Sequence, residues 1–236
     1  MANFEQTQWS VVLQAQEKSS ETSRAALAQL LKVYWFPVYS FIRHKGYGRE
    51  QAEDLTQGFF ARFVEKRLVA KADPSRGRFR SFLLTAVTNY TTNEYRRHNA
   101  IKRGGNHSFV SLDFDRADAL YSQVGTNEAT PEQLFERNWA ETVLANASHE
   151  LREEYQAAGK EEAFEVLKHF LWQNELSPSY DEVCAKLGLA SGAARTTVYR
   201  FRKRYGALVR AEVARTLSPT EDVDEEVRYL MQILAK

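Results

Sequence analysis

A chain of 236 residues, 43% hydrophobic and 27% charged, has enough apolar material for one large or two small packed domains, which excludes wholesale disorder. Its formal net charge of +1 excludes a polyanion or polycation overall, and its one cysteine, Cys184, excludes an intramolecular disulfide and suits a reducing compartment. No apolar run approaches membrane-spanning length, and residues 1–5 lack a basic segment leading into an apolar one, so the expectation is a cytoplasmic protein with no signal peptide and no membrane insertion.

The charge is unevenly placed. Residues 24–103 carry a net +10, residues 113–136 a net −5, residues 186–215 a net +7 and residues 218–236 a net −3. Two basic blocks are thus separated by an acidic joint and followed by an acidic tail. Clustered positive charge suits contact with phosphate whatever the total; a merely solvated face is the alternative.

In chain order, residues 5–16 predict a short first helix with Phe4, Trp9, Val12 and Leu13 on its apolar side. Residues 22–44 predict a longer one, striped by Leu27, Leu30, Leu31, Tyr34, Val38 and Ile42 at three- and four-residue steps. Pro37 falls inside that stripe and should kink or divide it. After the turn Gly46-Tyr47-Gly48, residues 49–69 give the clearest helix, with Leu55, Phe59, Phe60 and Phe63 inward and Asp54, Gln57, Ala61 and Glu65 elsewhere. Asp73-Pro74-Ser75-Arg76-Gly77 is a loop. Residues 80–99 are helical again, with Phe82, Leu83, Ala86, Val87 and Tyr90 on the apolar stripe and Asn89, Asn93, Arg96 and Arg97 gathered on a second face.

Residues 104–131 read as a linker holding Gly104-Gly105, scattered acids, Gly125 and Pro131. Helices follow at 132–159, through Leu134, Phe135, Trp139, Val143 and Leu144, and at 161–174, through Phe164, Leu167, Phe170 and Leu171. Residues 179–205 carry the sharpest local pattern: a short helix through Tyr180, Val183 and Leu187, a tight turn at Leu187-Gly188-Leu189, and a second helix capped by Ser191 with Val198 and Phe201 inward. This is a helix-turn-helix, whose second helix fits the major groove and reaches base edges with its N-terminal part. Arg195, Thr196 and Arg200 are its candidate base-reading residues, Thr197 stands on the same outer face, and Lys203 and Arg204 are its candidate phosphate contacts, against the alternative of an ordinary helical hairpin. In the tail, Val223, Val227, Leu230, Met231 and Leu234 form a stripe that predicts a terminal helix, either a docking or self-masking element or a packed cap.

Three segments together resemble bacterial RNA polymerase sigma factors of the extracytoplasmic-function type, group four of the sigma-70 family. Residues 52–60, Ala-Glu-Asp-Leu-Thr-Gln-Gly-Phe-Phe, resemble the polymerase-binding helix of sigma domain 2. Residues 77–89, Gly-Arg-Phe-Arg-Ser-Phe-Leu-Leu-Thr-Ala-Val-Thr-Asn, followed by Glu94-Tyr95-Arg96-Arg97, resemble the segment that opens and reads the −10 promoter element. Residues 179–202 resemble the −35-binding helix-turn-helix of domain 4. The resemblance implies an all-α fold of two helical domains joined by a linker, the second containing the helix-turn-helix. The expected division is 1–103 for domain 2, 104–131 for the linker, 132–217 for domain 4 and 218–236 for the acidic tail.

It also implies core RNA polymerase and promoter DNA as partners, with an anti-sigma protein as a further candidate. Asp54, Gln57 and Arg62 would dock on polymerase. Asn89, Arg96 and Arg97 match positions that would meet the −10 element; Asn93 by its spacing, Tyr95 by stacking and Arg80 by its charge would join them, since separated bases need compensating stacking and hydrogen bonds. Ser191, Arg195, Thr196, Thr197, Arg200, Lys203 and Arg204 would meet the −35 element. The segment 146–172 and the turn 190–194 depart from the usual domain 4 pattern, which leaves protein rather than DNA open as its target.

No enzyme chemistry is expected, nor any cofactor or metal. His44, His98, His107, His149 and His169 are scattered without ligand spacing, and Gly104-Gly105 lacks the arrangement of a phosphate-binding loop. Two other readings are a stand-alone helix-turn-helix regulator, which leaves Asp54 and Gln57 unexplained, and a sigma-like helical adaptor without promoter activity.

Overall fold

The computed structural model describes residues 21–65, 68–73, 78–100, 113–123, 129–172, 177–190, 192–217 and 221–235. Among them all regular structure is helical. The helices are α1 (Glu21–His44), α2 (Arg49–Glu65), α3 (Phe79–Ala100), α4 (Phe114–Gln123), α5 (Pro131–Ala157), α6 (Glu161–Leu167), α7 (Tyr180–Leu187), α8 (Ala193–Thr216) and α9 (Val223–Leu234). The helix expected at residues 5–16 lies outside the described residues, as does Ser191. No described helix is long and apolar enough to cross a membrane.

The chain divides into two compact units, one of Met1–Thr142 with Ala214–Lys236 and one of Val143–Val213. The core of the first is aromatic. Tyr34, Tyr39 and Phe41 of α1, Phe59 and Phe63 of α2, Phe79 and Leu83 of α3, and Phe135 and Trp139 of α5 are all buried. Residues 37–42 are buried in an unbroken run, so this part of α1 is enclosed on every side. That explains why the division expected as one outcome at Pro37 does not occur: α1 runs through the proline as one helix. Proline removes one backbone hydrogen bond, but buried Val33, Tyr34, Val38 and Tyr39 hold both flanks in place. Enclosure also requires polar groups to be satisfied, and Asn138 Nδ2 donates to Ser40 Oγ at 2.7 Å.

The stretch read as a linker contains α4, which packs in the first unit. Phe114 meets Trp35 and Tyr39 with ring centroids 6.0 and 5.6 Å apart. Asp118 accepts from Tyr39 Oη at 3.0 Å and pairs with Arg43 at 3.1 Å, Arg49 bonds Asp115, and Arg43 lies 4.9 Å over the Tyr121 ring. The acids of the joint therefore neutralise arginines of α1 and α2. Periodicity does not announce a ten-residue helix whose main anchors are one phenylalanine and two charges.

The second unit is built around Phe201. Its ring meets Tyr155 at 5.4 Å and Phe164 at 6.0 Å, with Leu151, Leu167, Val183 and Val198 buried nearby in the same unit. Tyr205 Oη donates to the Leu144 carbonyl at 3.1 Å, and burial raises its pKa, so the phenol stays neutral.

Candidate nucleic-acid interface

The first candidate surface lies on α2 and α3. Helix α2 turns Phe59, Phe60 and Phe63 inward, and Phe59 meets the α3 ring of Tyr90 at 5.6 Å. Gly58 permits that approach: a Cβ there would sit 2.5 Å from Tyr90 Oη. On the outer side of α2, Asp54 is exposed and Gln57 half-buried, three residues apart and so on one face. Arg62 is engaged across the helices, 3.3 Å from Glu94 and 5.9 Å from the Tyr90 ring.

Helix α3 presents a continuous polar stripe. Ser81, Thr85, Asn89, Asn93 and Arg96 are exposed at steps of three and four residues. The Thr85 and Thr92 hydroxyls donate back to the Ser81 and Thr88 carbonyls at 2.9 and 2.8 Å, which leaves the two asparagine amides as the stripe's main outward-facing hydrogen-bonding groups. Tyr95 is 60% exposed, whereas Tyr90 packs on Phe59, so of the two tyrosines only Tyr95 offers a ring face to a base. The backbone of Arg97 continues α3; its side chain lies outside what is described.

Arg80 is placed differently from the expectation that it faces phosphate. It is 3% exposed. Its Nε donates to Glu136 at 2.8 Å, its Nη1 bonds Glu226 of α9, and its guanidinium lies 4.3 Å over Trp139 and 5.1 Å over Tyr229. Burial disfavours the Arg80 charge, but Glu136 and Glu226 outweigh that and raise its pKa, so the cation persists inside. Arg78 joins the cluster, 2.7 Å from Glu226 and 5.1 Å from the Tyr229 ring.

The second candidate surface lies in the other unit, on α7 and α8. Ser179 caps α7 with a complete capping box: the Glu182 amide donates to Ser179 Oγ at 3.2 Å and the Ser179 amide to the Glu182 carboxylate at 2.7 Å. The Ser179-x-x-Glu182 spacing was available in the sequence and marks where the hairpin begins. Gly188 ends α7 with φ +61°, and the Leu189 amide donates to the Cys184 carbonyl at 2.9 Å, so the turn closes as glycine there predicts. An alanine at 188 meets nothing within 4 Å but must adopt the left-handed backbone. Gly188→Ala should therefore cost about 1–2 kcal/mol, read as faster amide exchange across residues 143–213, while an asparagine there should cost less.

On α8, Ala194, Val198, Phe201 and Tyr205 point inward, and Arg195, Thr196, Tyr199, Arg200, Arg202, Lys203 and Arg204 are exposed. Thr196, Tyr199, Arg200 and Lys203 share one outward stripe at helical spacing. Tyr199, 65% exposed at its centre, is a candidate contact that the reading of the sequence passed over; its place between Thr196 and Lys203 was the available signal. Arg195 is held 5.6 Å over the Tyr180 ring. Arg204 forks onto Glu154, with one arm at 2.9 Å, and that bond lowers the Glu154 pKa and offsets the arginine's charge. Thr197 is half-buried and gives its hydroxyl to the Ala193 carbonyl at 3.0 Å. Of the residues expected on α8, Thr196, Arg200 and Lys203 are the ones on this outward stripe.

Among the described residues no three His, Cys, Asp or Glu side chains gather as a metal site. In comparison with known proteins, residues 36–101 match the family model described as Sigma-70 region 2, the span that holds the first two of the three segments resembling sigma factors. That span holds α2, α3 and most of the buried part of α1. Neither a curated protein nor a solved structure matches the chain significantly.

Proposed function

We propose, from the match of residues 36–101 to Sigma-70 region 2, that the protein is an alternative sigma factor of the extracytoplasmic-function type, which binds core RNA polymerase, selects promoters and assists their melting. It supplies binding, and polymerase makes the RNA. Residues 1–103 act as domain 2, with Asp54 and Gln57 on α2 for polymerase and Asn89, Asn93, Tyr95 and Arg96 on α3 for the −10 element. The compact unit of residues 143–213 acts as domain 4, with the α8 stripe for the −35 element.

The observation that carries this reading is the α3 stripe. Two amides, a guanidinium and an exposed tyrosine project from a helix whose opposite face is locked by Phe79, Leu83 and Val87. Unpaired bases need hydrogen bonds to their edges and a surface to stack on, worth about 1–3 kcal/mol per base, and Asn89, Asn93 and Tyr95 offer both. Two modest contacts on separate domains cooperate when one polymerase holds them both.

The test is reconstitution with cognate core polymerase and transcription from a randomised promoter library. Initiation enriched for two spaced elements supports the proposal, and initiation no better than core alone defeats it. Within that system, Asp54→Ala with Gln57→Ala should weaken core binding about tenfold, equivalent to about 1.4 kcal/mol, without lowering thermal stability, since neither side chain is in the core. Unchanged core affinity would remove these two residues from the docking surface.

A further inference from the structure

Glu226 is a fully buried carboxylate, and it sits against two arginines at the start of α3. It comes from α9, outside the span matched to region 2, so it belongs to an element added onto that region. Arg78, which pairs with it and, at 3.8 Å, with Glu221, is partly exposed, and the Tyr229 ring lies 5.1 Å from both guanidiniums. Two guanidiniums converging on one anion form an arrangement that accepts a phosphate as readily as a carboxylate.

The energetics favour exchange. Desolvating buried ions costs several kcal/mol each, and their mutual attraction does little more than offset this, so the pairing fixes where α9 docks more than how tightly. The apolar grip of the helix is modest: Leu230 is its one fully buried apolar side chain, and Met231 of the predicted stripe is 57% exposed. Arg78 and Arg80 open the same helix that carries Asn89, Asn93 and Arg96.

We propose that α9 is a releasable latch, in which the Glu226 carboxylate occupies on Arg78 and Arg80 the place that a nucleic-acid backbone phosphate takes when the helix swings away. This rests on the reading of α3 as a DNA-contacting helix. It restores to Arg80 a role in phosphate contact that its burial denies it in the closed form.

The test uses the full-length protein and a labelled single-stranded DNA, followed by fluorescence anisotropy, with amide exchange of residues 223–234 measured in parallel. Glu226→Gln should expose those amides and tighten DNA binding about fivefold to tenfold, with a salt dependence steeper by about one to two units of slope, one for each phosphate newly neutralised. Glu225→Gln removes the same charge from an exposed position on the same helix and should do neither. Adding Arg78→Ala to Glu226→Gln should remove much of the gain, leaving the share of Arg80. Should Glu226→Gln fail to fold, Tyr229→Ala removes the ring beneath both guanidiniums and carries the same expectations.

Equal affinities for the Glu225 and Glu226 variants overturn the latch, as does an opened helix without tighter binding, or a gain that Arg78→Ala leaves undiminished. The order of the variants decides this whether or not the wild-type protein directs initiation. A protein that binds DNA in this order yet never supports transcription with core polymerase would defeat the sigma-factor reading alone.

Discussion

Phe59→Ala is expected to lower the stability of the first unit by about 3–5 kcal/mol, the usual cost of emptying a fully buried phenylalanine site. Phe59 is wholly inaccessible and touches three other rings, with centroids 5.1 Å from Phe60, 5.7 Å from Phe63 and 5.6 Å from Tyr90. Collapse around the cavity is restricted because Tyr90 already lies hard against the Gly58 backbone. The effect should reach function as well as stability. Tyr90 is on α3, so loosening Phe59 frees the helix bearing Asn89 and Asn93 from the one bearing Asp54 and Gln57. Phe59→Leu keeps most of the volume and should cost less than about 1.5 kcal/mol. Amide exchange resolved by segment is the right measurement, because the chain holds two compact units and a single denaturation midpoint would mix them. A loss below about 1 kcal/mol for the alanine variant would show that the α2–α3 seam repacks freely.

Arg200→Ala and Lys203→Ala are expected to damage DNA binding in two different ways. Arg200 lies on the exposed α8 stripe, one turn beyond Thr196 and beside Tyr199. A guanidinium there can bond guanine O6 and N7 together, and its loss should cost about 1–3 kcal/mol of discrimination at one base pair of the upstream element. Lys203, nearly one further turn along, carries a point charge suited to phosphate. Its loss should weaken binding to all sequences alike and reduce the salt slope by about one. Initiation from an upstream-element library, repeated at several salt concentrations, separates the two effects. An unchanged base preference in Arg200→Ala removes its reading role. Equal loss of preference in both variants would mean that α8 lies in the groove differently from the stripe proposed here.

Arg195 and Arg204 should contribute less than their charges suggest. Arg195 must leave the Tyr180 ring and Arg204 must leave Glu154 before either reaches DNA, and each existing contact offsets part of the gain. Tyr199, by contrast, is already outward.

The local pattern of the chain determined most of what is helical and which side of each helix faces inward. Phe59, Phe63, Leu83, Val87, Val198 and Phe201 are buried where three- and four-residue spacing puts them, because helical periodicity is a property of neighbouring residues. The turn at Gly188 was legible for the same reason: the left-handed backbone it adopts belongs to glycine itself. Asp54, Asn89, Asn93 and Arg96 stand exposed on the faces their spacing assigned.

What the tertiary structure alone decided concerns charge. Arg80 reads locally as one more cation in a basic block, and its burial depends on Glu136 and Glu226, 56 and 146 positions away. The acids of the presumed linker likewise find Arg43 and Arg49 only once α4 has folded against α1 and α2. A helix carries its apolar period wherever it goes, but an ion pair exists only where the fold brings opposite charges within a few ångströms and excludes the water that would screen them.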